Sequence, residues 1–476
     1  MKKLSELYNV DSDVLIKDIK INSKDVEEGD LFICTMGASA DRHNFIDSAI
    51  ENGAAAVVVS KDVGQKSVPI IKVEDTNKEL PILCRKFYDE PQNKLKVIGV
   101  TGTDGKTSTA TIIQTLIGND KTGYIGTNGR SCSKFKRDTA NSTPDADKLY
   151  GYFNEFVEAG CKYVAMEASS EAFYRGRMQG LSFDVSVITN ITPEHLNIHK
   201  TIENYADCKC MLFDQTKEDG YSILNYDDKY FEYVKKHCKS KVLTYGMDKS
   251  CDLYIKDFKV YPDHTDITYV YKNKDYNITS PLLGDFNVYN LAAGMLASIA
   301  LGYEIPDLAK NISKINVDGR LDMIDTKSNY YVMVDYAHTP NGISNLLKFV
   351  HTLDIKRSIV VTGVAGERDH EKRPVMGKTI LDNATYAIFT SEDPRSEDPM
   401  DIANDLISEA KKTHDNYEIV LDRREAIKKA INMAEEKDIV LILGKGNETY
   451  QKLKDGTIYF NDVEEAKKAI EERNSK

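Results

Sequence analysis

The residues best equipped for chemistry lie in one run, Thr101-Gly102-Thr103-Asp104-Gly105-Lys106-Thr107-Ser108, between the apolar strand Val97–Val100 and an amphipathic helical stretch reaching Leu116. Glycines there let backbone N–H groups close on phosphate oxygens, and the helix N-terminus favours their negative charge. A lysine neutralises the transferring phosphate, and a threonine hydroxyl can bind magnesium. Gly102, Thr103, Asp104, Gly105, Lys106, Thr107 and Ser108 are therefore the expected ATP contacts. Val100 stands where GxxxxGK[ST] has its first glycine, so the loop is a shorter GTxGKT form. A bare glycine turn is the simpler alternative, and the lysine–threonine pair argues against it.

Three later segments also end in polar groups: Met166-Glu167-Ala168-Ser169-Ser170, Thr189-Asn190-Ile191-Thr192-Pro193-Glu194-His195 and Tyr205-Ala206-Asp207-Cys208-Lys209. Singly each is ambiguous, because a glutamate or histidine at a strand end is often a cap and a helix lysine is usually solvated.

The elements that must hold these residues read as α/β. Asp30–Ile33 as a strand, a helical pattern over 44–52 and the apolar run Ala54–Val59 predict a small α/β domain. The polar stretch Asp89-Glu90-Pro91-Gln92-Asn93 marks a boundary. Tyr163–Met166 and Val185–Ile188 look like buried parallel strands, whereas alternation within 251–280 predicts an antiparallel appendage. Beyond Asp325, strands near 331–334, 358–361, 387–389, 418–421 and 439–443 alternate with helical stretches, as in a Rossmann-like domain whose ligands bind at the strands' carboxyl ends. The expectation is three domains: 1–92, a central P-loop ATPase-like parallel sheet with its appendage over 93–324, and a Rossmann-like domain over 325–476.

Bulk properties agree: 476 residues suit about three domains. With 41% hydrophobic and 29% charged residues the chain is an ordinary globular one. A net charge of −12 excludes a general nucleic-acid footprint. The start, Met1-Lys2-Lys3-Leu4, has no apolar run behind it and no stretch approaches a span of ~18 apolar residues, so a cytoplasmic chain without a membrane partner is expected. The eight scattered cysteines read as free thiols. A monomer is the expectation.

The phosphate loop, Asn141-Ser142-Thr143-Pro144, Met166–Ser170, Thr189–His199, Tyr205–Phe213, Gly284–Asn290, Gly319-Arg320, Asp335-Tyr336-Ala337-His338-Thr339-Pro340 and Gly444-Lys445-Gly446 resemble, in order, the motifs of the Mur ligases. The resemblance spans essentially the whole chain and is closest to the MurE branch, which adds a diamino acid to UDP-N-acetylmuramoyl-L-alanyl-D-glutamate. Ile21-Asn22-Ser23-Lys24 with Glu28–Phe32 looks like its uridine-binding domain. The resemblance implies that ATP phosphorylates the substrate carboxylate and that the incoming amine attacks the acyl phosphate. Mg2+ would offset the crowded anions.

By the same resemblance Lys106, Glu167, His195 and Lys209 are catalytic, and Thr107, Glu167, His195 and Lys209 serve metal. Lys209 matches a lysine that the family carbamylates to N6-carboxylysine. An ammonium is repelled by a dication whereas a carbamate supports it, and burial favours the neutral amine from which the carbamate forms. Ser23, Asn141, Ser142, Thr143, Ser169 and Arg177 would hold the UDP-muramoyl dipeptide. Asn290 would approach adenine, Arg320 the phosphates, and Asp335 and His338 the nucleotide end, with a closing third domain.

Arg368, Asp393, Arg395, Gly444 and Glu448 match the positions around the diamino acid. Arg395 favours meso-diaminopimelate, whose second carboxylate can take a bidentate arginine. Asp393, where the family has asparagine, adds negative charge and suits L-lysine, and Arg395 could instead form a loop ion pair with Asp393 or Glu397. Diaminopimelate is the expectation and lysine the second reading. Glu171, Asn197 and Asn447 also depart from the family pattern. Two other readings remain: a Mur-like amide ligase with another acceptor, of the folylpolyglutamate or cyanophycin synthetase kind, and a non-catalytic nucleotide-binding regulator.

Overall fold

The computed structural model describes residues 1–36, 40–139, 141–261 and 263–475, and the strands among them collect chiefly into three sheets in chain order. The first is parallel and runs Ile19–Lys20, Leu31–Ile33, Ala56–Val59, Ile70–Lys72. Strand alternation sends Phe32, Val57 and Val59 toward the helix Ile46–Glu51. Leu31, Ile33, Ala56 and Val58 instead join a cluster that continues through Phe153, Phe156 and Val164. The first sheet thus shares a core with the second.

The second sheet has eleven strands. Seven neighbours pair in parallel, in the spatial order Thr122–Gly126, Tyr163–Glu167, Lys96–Thr101, Phe183–Ile188, Thr216–Asn225, Lys241–Gly246, Leu253–Val260. Both faces are covered, which explains the continuous apolar runs. Val97 and Val164 face the layer of the helices Ala146–Glu158 and Ile202–Asp214, while Ile98 and Ala165 face Lys106–Ile117 and Asp285–Ala300. The first strand in sequence lies at the centre, so the chain leaves it in opposite directions. The loops at its carboxyl end, and at those of Tyr163–Glu167 and Phe183–Ile188, open into one crevice.

The expected antiparallel appendage continues this sheet. Tyr245 and Gly246 pair in parallel with Leu253 and Tyr254, and only then do Thr265–Tyr271 and Lys274–Ser280 add antiparallel strands. The opposite edge also gains two short antiparallel strands, Gly129–Cys132 and Phe135–Arg137. Their polar residues carry no alternation to read.

The third sheet runs Asp322–Ile324, Tyr331–Asp335, Ile439–Leu443, Ser358–Thr362, Tyr386–Phe389, Tyr417–Ile419, parallel except for its first strand. That antiparallel strand begins a few residues before the expected boundary at 325. At the carboxyl end of Ile439–Leu443, Arg423 is fully enclosed and donates to both oxygens of Asp462 at 2.7 Å and to the carbonyl of Leu443 at 2.9 Å. The pair fixes the strand just before Gly444. All eight cysteines are free, and no helix among the described residues is long and apolar enough to cross a membrane.

Removing one partner of a buried ion pair strands the other charge, so Asp462→Ala should lower the stability of the third domain by about 3–5 kcal/mol. Urea unfolding measures this, and an unchanged midpoint would contradict the assigned role of the pair.

Candidate active site

The phosphate loop is shaped by two glycines in the left-handed region, Gly102 at φ +143° and Gly105 at φ +86°. A Cβ on Gly102 would collide with the Thr189 hydroxyl, and one on Gly105 with the Asn290 amide. Other contacts confirm how closely the second strand loop holds the first. Thr103 donates its N–H to the Asn190 carbonyl at 2.9 Å, and the Thr189 hydroxyl donates to the Asp104 carbonyl at 2.5 Å. Asn290, expected near adenine, lies against Gly105 and also lines the cavity.

Lys106 directs its ammonium back to the carbonyls of Gly102 and Thr103, at 3.0 and 2.8 Å. Lys209, on the helix Ile202–Asp214 and buried, reaches the same Gly102 carbonyl at 2.7 Å and lies over the Tyr205 ring. Two ammonium groups thus share one acceptor. Burial first, and Lys106 second, hold Lys209 well below the usual lysine range.

Glu167 ends the strand Tyr163–Glu167 and is 1% exposed. Its Oε1 accepts from the Thr107 hydroxyl at 2.8 Å, the Tyr124 hydroxyl at 2.9 Å and the Thr127 N–H at 2.7 Å. Arg320 crosses from the domain junction to the Thr107 hydroxyl at 3.3 Å and stacks on the Tyr336 ring. His195 lies in the left-handed region at φ +56°, and burial together with Lys372, Lys106 and Lys209 pushes its imidazole down to about 2. The neutral ring leaves one of its nitrogens with a free lone pair.

Of the four expected metal ligands, Thr107 touches Glu167, whereas Lys209 and His195 stand with Tyr205. Among the described residues no three His, Cys, Asp or Glu side chains form a ready ligand group. Thr107 and Glu167 offer oxygens, and a carboxylate on Lys209 would add to that set.

These groups face one cavity of about 1460 Å³, lined also by Ser108, Asn141, Ser142, Ser169, Arg177, Asp335 and His338. Thr143 sits behind the lining, donating to the Glu167 carbonyl at 3.0 Å and to Ser169 at 3.1 Å. Arg177 pairs with Asp145 at 2.9 Å. Asp335 is spent on backbone, accepting from the N–H groups of Leu321 and Ala337 at 2.8 and 2.7 Å. His338 is held by the Tyr336 carbonyl, and burial and Lys372 push it down to about 3. Ser23 is buried in the first domain and does not line this cavity.

Arg368, Asp393, Arg395, Gly444 and Glu448 line the third-domain wall. Asp393 is not a bare carboxylate, because the fully enclosed Lys445 donates to it at 2.9 Å and to Glu448 at 2.8 Å. Despite burial, Glu448, Glu392 and Asp393 hold Lys445 above the usual lysine range. Tyr336 and Tyr450 donate to the other oxygen of Glu448 at 3.3 and 3.4 Å. Glu397 pairs with Arg373 and Asp393 with Lys445, and Arg395 forms the alternative loop ion pair with neither. Among the described residues no carboxylate lies within ion-pairing distance of Arg368 or Arg395, and the Arg395 Nε is buried without a partner.

Of the departures, Glu171 pairs along its helix with Arg175 at 2.8 Å, and Asn197 is exposed. Asn447 offers its carbonyl to Asn461 at 3.5 Å. Sequence reasoning missed Tyr124, Lys372 and Glu392. Lys372 pairs with Glu194 at 3.0 Å across the domain junction, and burial pushes the Glu392 carboxyl up to about 7. Only the contact of Lys372 with a loop glutamate far away in sequence marks it out.

Three family models match the chain: the Mur ligase family, catalytic domain over 15–88, the Mur ligase middle domain over 100–298, and the Mur ligase, glutamate ligase domain over 319–446. The UDP-N-acetylmuramoyl-L-alanyl-D-glutamate–2,6-diaminopimelate ligase of Clostridium perfringens is 37% identical, with 94% of each chain covered. A solved ligase of the same description matches at TM-score 0.66 and 28% identity over 99% of each chain. A MurF ligase from Thermotoga maritima in complex with ADP shares the fold at TM-score 0.69, with 21% identity over 98% of this chain and 99% of that one.

Lys106→Ala should abolish turnover while leaving the fold intact, since it removes a phosphate-neutralising charge rather than a core group. ADP release and the circular dichroism spectrum together check it. Lys209→Arg should be nearly inactive, because a guanidinium stays charged and cannot be carbamylated. Turnover near the wild-type rate would reject the role given to that lysine.

Proposed function

The chain belongs to the Mur ligase family, and on that premise we propose that it is the ATP-dependent ligase that adds meso-diaminopimelate to UDP-N-acetylmuramoyl-L-alanyl-D-glutamate in peptidoglycan precursor synthesis. The observation that carries the choice of amino acid is the pair Arg368 and Arg395, which line the cavity wall without a carboxylate partner among the described residues, while Lys445 pairs with Asp393. The negative charge of Asp393, which would favour lysine, is already answered within the protein. The guanidinium groups remain for the second carboxylate of the ligand. Glu448, held by Lys445, Tyr336 and Tyr450, can receive an ammonium group.

The first domain, 1–92, would hold the uridine end through Ser23, and 93–324 would hold ATP and the muramoyl dipeptide, the latter through Asn141, Ser142, Thr143, Ser169 and Arg177. The third domain, 325–476, would hold the amino acid. Transfer of the terminal phosphoryl group to the substrate carboxylate releases ADP. The amine nitrogen then attacks the carbonyl carbon, losing a proton as phosphate leaves. Lys106 and Arg320 offset the negative charge that gathers along this path. Lys372, anchored by Glu194, adds a third cation at the junction.

Magnesium would be held by Thr107, Glu167, the neutral His195 and Lys209 as its carbamate. Bound there it would draw charge from the phosphate and carboxylate oxygens. The cytoplasm, where such nucleotide-linked precursors and ATP are found together, is the proposed location.

Product formation with each amino acid in turn tests the assignment. Wild type should use meso-diaminopimelate in preference to L-lysine. Arg395→Ala should cut kcat/KM for diaminopimelate by about ten- to a hundredfold, the loss of a charge-assisted hydrogen-bond pair. Efficient lysine addition that this substitution leaves untouched would overturn the choice.

A further inference from the structure

We infer that Asp104 is a positioning residue whose carboxylate ties the phosphate loop to the third domain and so sets the nucleotide and amino-acid sites in register. The two halves of this residue belong to different domains. Its main chain is held by the central domain, with its N–H donating to Asn190 Oδ1 at 3.1 Å and its carbonyl accepting from Thr189 and from the Asn190 amide at 2.5 and 3.1 Å. Its side chain turns the other way. Oδ1 accepts from the Thr339 hydroxyl and Oδ2 from the Asn341 amide, both at 3.0 Å.

Thr339 is also the N-cap of the third-domain helix Pro340–His351, its oxygen accepting from the Gly342 N–H at 2.9 Å. That acceptance turns the hydroxyl proton toward Asp104. The start of a helix is a favourable place for a carboxylate, so each oxygen has a donor and the charge has a field.

A carboxylate is otherwise out of place here. Phosphate oxygens are received by backbone N–H groups and Lys106, and a neighbouring negative charge works against them. An isolated loop carboxylate would face solvent. This one spends both oxygens on the domain that carries the amino-acid site. The inference rests on the ligase reading, in which the amine must reach an acyl phosphate formed above this loop and a misplacement of roughly 1 Å is costly.

Asn341→Asp tests it, because it sets a second carboxylate against Asp104. In the full-length enzyme it should raise KM for the diamino acid about tenfold while ATP affinity stays within about threefold, the signature of a lost inter-domain contact and not of a damaged nucleotide site. Amide hydrogen exchange at Gly342 and Ile343 should quicken.

The double variant Asp104→Asn with Asn341→Asp restores one amide facing one carboxylate with the roles exchanged. It should return KM and exchange toward wild type, which a merely structural loss would not do. Unchanged KM and exchange in Asn341→Asp, or a double variant worse than either single one, would overturn the inference. Should wild type form no product with any amino acid, the ligase reading falls, and the exchange rates of the same variants still decide whether Asp104 joins the domains.

Discussion

Two lysines meeting at one carbonyl set the terms for the rest of the site. Lys106, half-buried, and Lys209, buried, both donate to the oxygen of Gly102. Two ammonium charges at such a distance in a low-dielectric setting cannot both be comfortable. The more deeply enclosed one gives way, and Lys209 is held toward its neutral amine. A neutral amine is what CO2 requires, and a carbamate there would exchange a repelling cation for an anion that pairs with Lys106. The shape of the loop carries this constraint. Gly102 and Gly105 bring backbone against Thr189 and Asn290, and so present that carbonyl to both lysines.

The remainder of the cavity reads as charge compensation in an acidic chain. Glu167 is buried among three donors, so its charge is answered before any ligand arrives. Glu194 is answered by Lys372, while Asp393 and Glu448 share the single charge of Lys445. Arg368 and Arg395 stand apart from this pattern, with no carboxylate assigned to them by the protein. An anionic group of a ligand in the cavity would find both guanidinium groups available.

The two domain junctions differ in physical kind. Between the first and second domains an apolar core runs without interruption from Leu31 and Val58 to Phe153 and Val164, which resists opening because separation would expose it to water. Between the second and third the contacts nearest the site are polar: Asp104 with Thr339 and Asn341, and Glu194 with Lys372. Water can replace each of these at small net cost. The first junction is suited to holding a long substrate in place, and the second to opening and closing around the reaction.

Sequence alone determined what local spacing and periodicity encode. The strand–glycine loop–helix of Val97 to Ile117, the buried parallel strands and the alternating third domain all follow from patterns within a few residues. The phosphate-binding character of Lys106 and Thr107 comes with them. The order of motifs then tied Glu167, His195 and Lys209 to one family's site. Tertiary structure decided what depends on partners far apart in the chain. The antiparallel strands of 253–280 extend the central sheet because Tyr245 finds Leu253 beside it, a pairing that no alternation could announce. Asp393 looked hostile to a carboxylate ligand until Lys445, fifty-two positions on, was found to neutralise it. The contacts of Asn290 with Thr109, and of Asp104 with Thr339 and Asn341, were beyond local reading because hydrogen bonds are set by positions in space and these partners are more than 180 residues away.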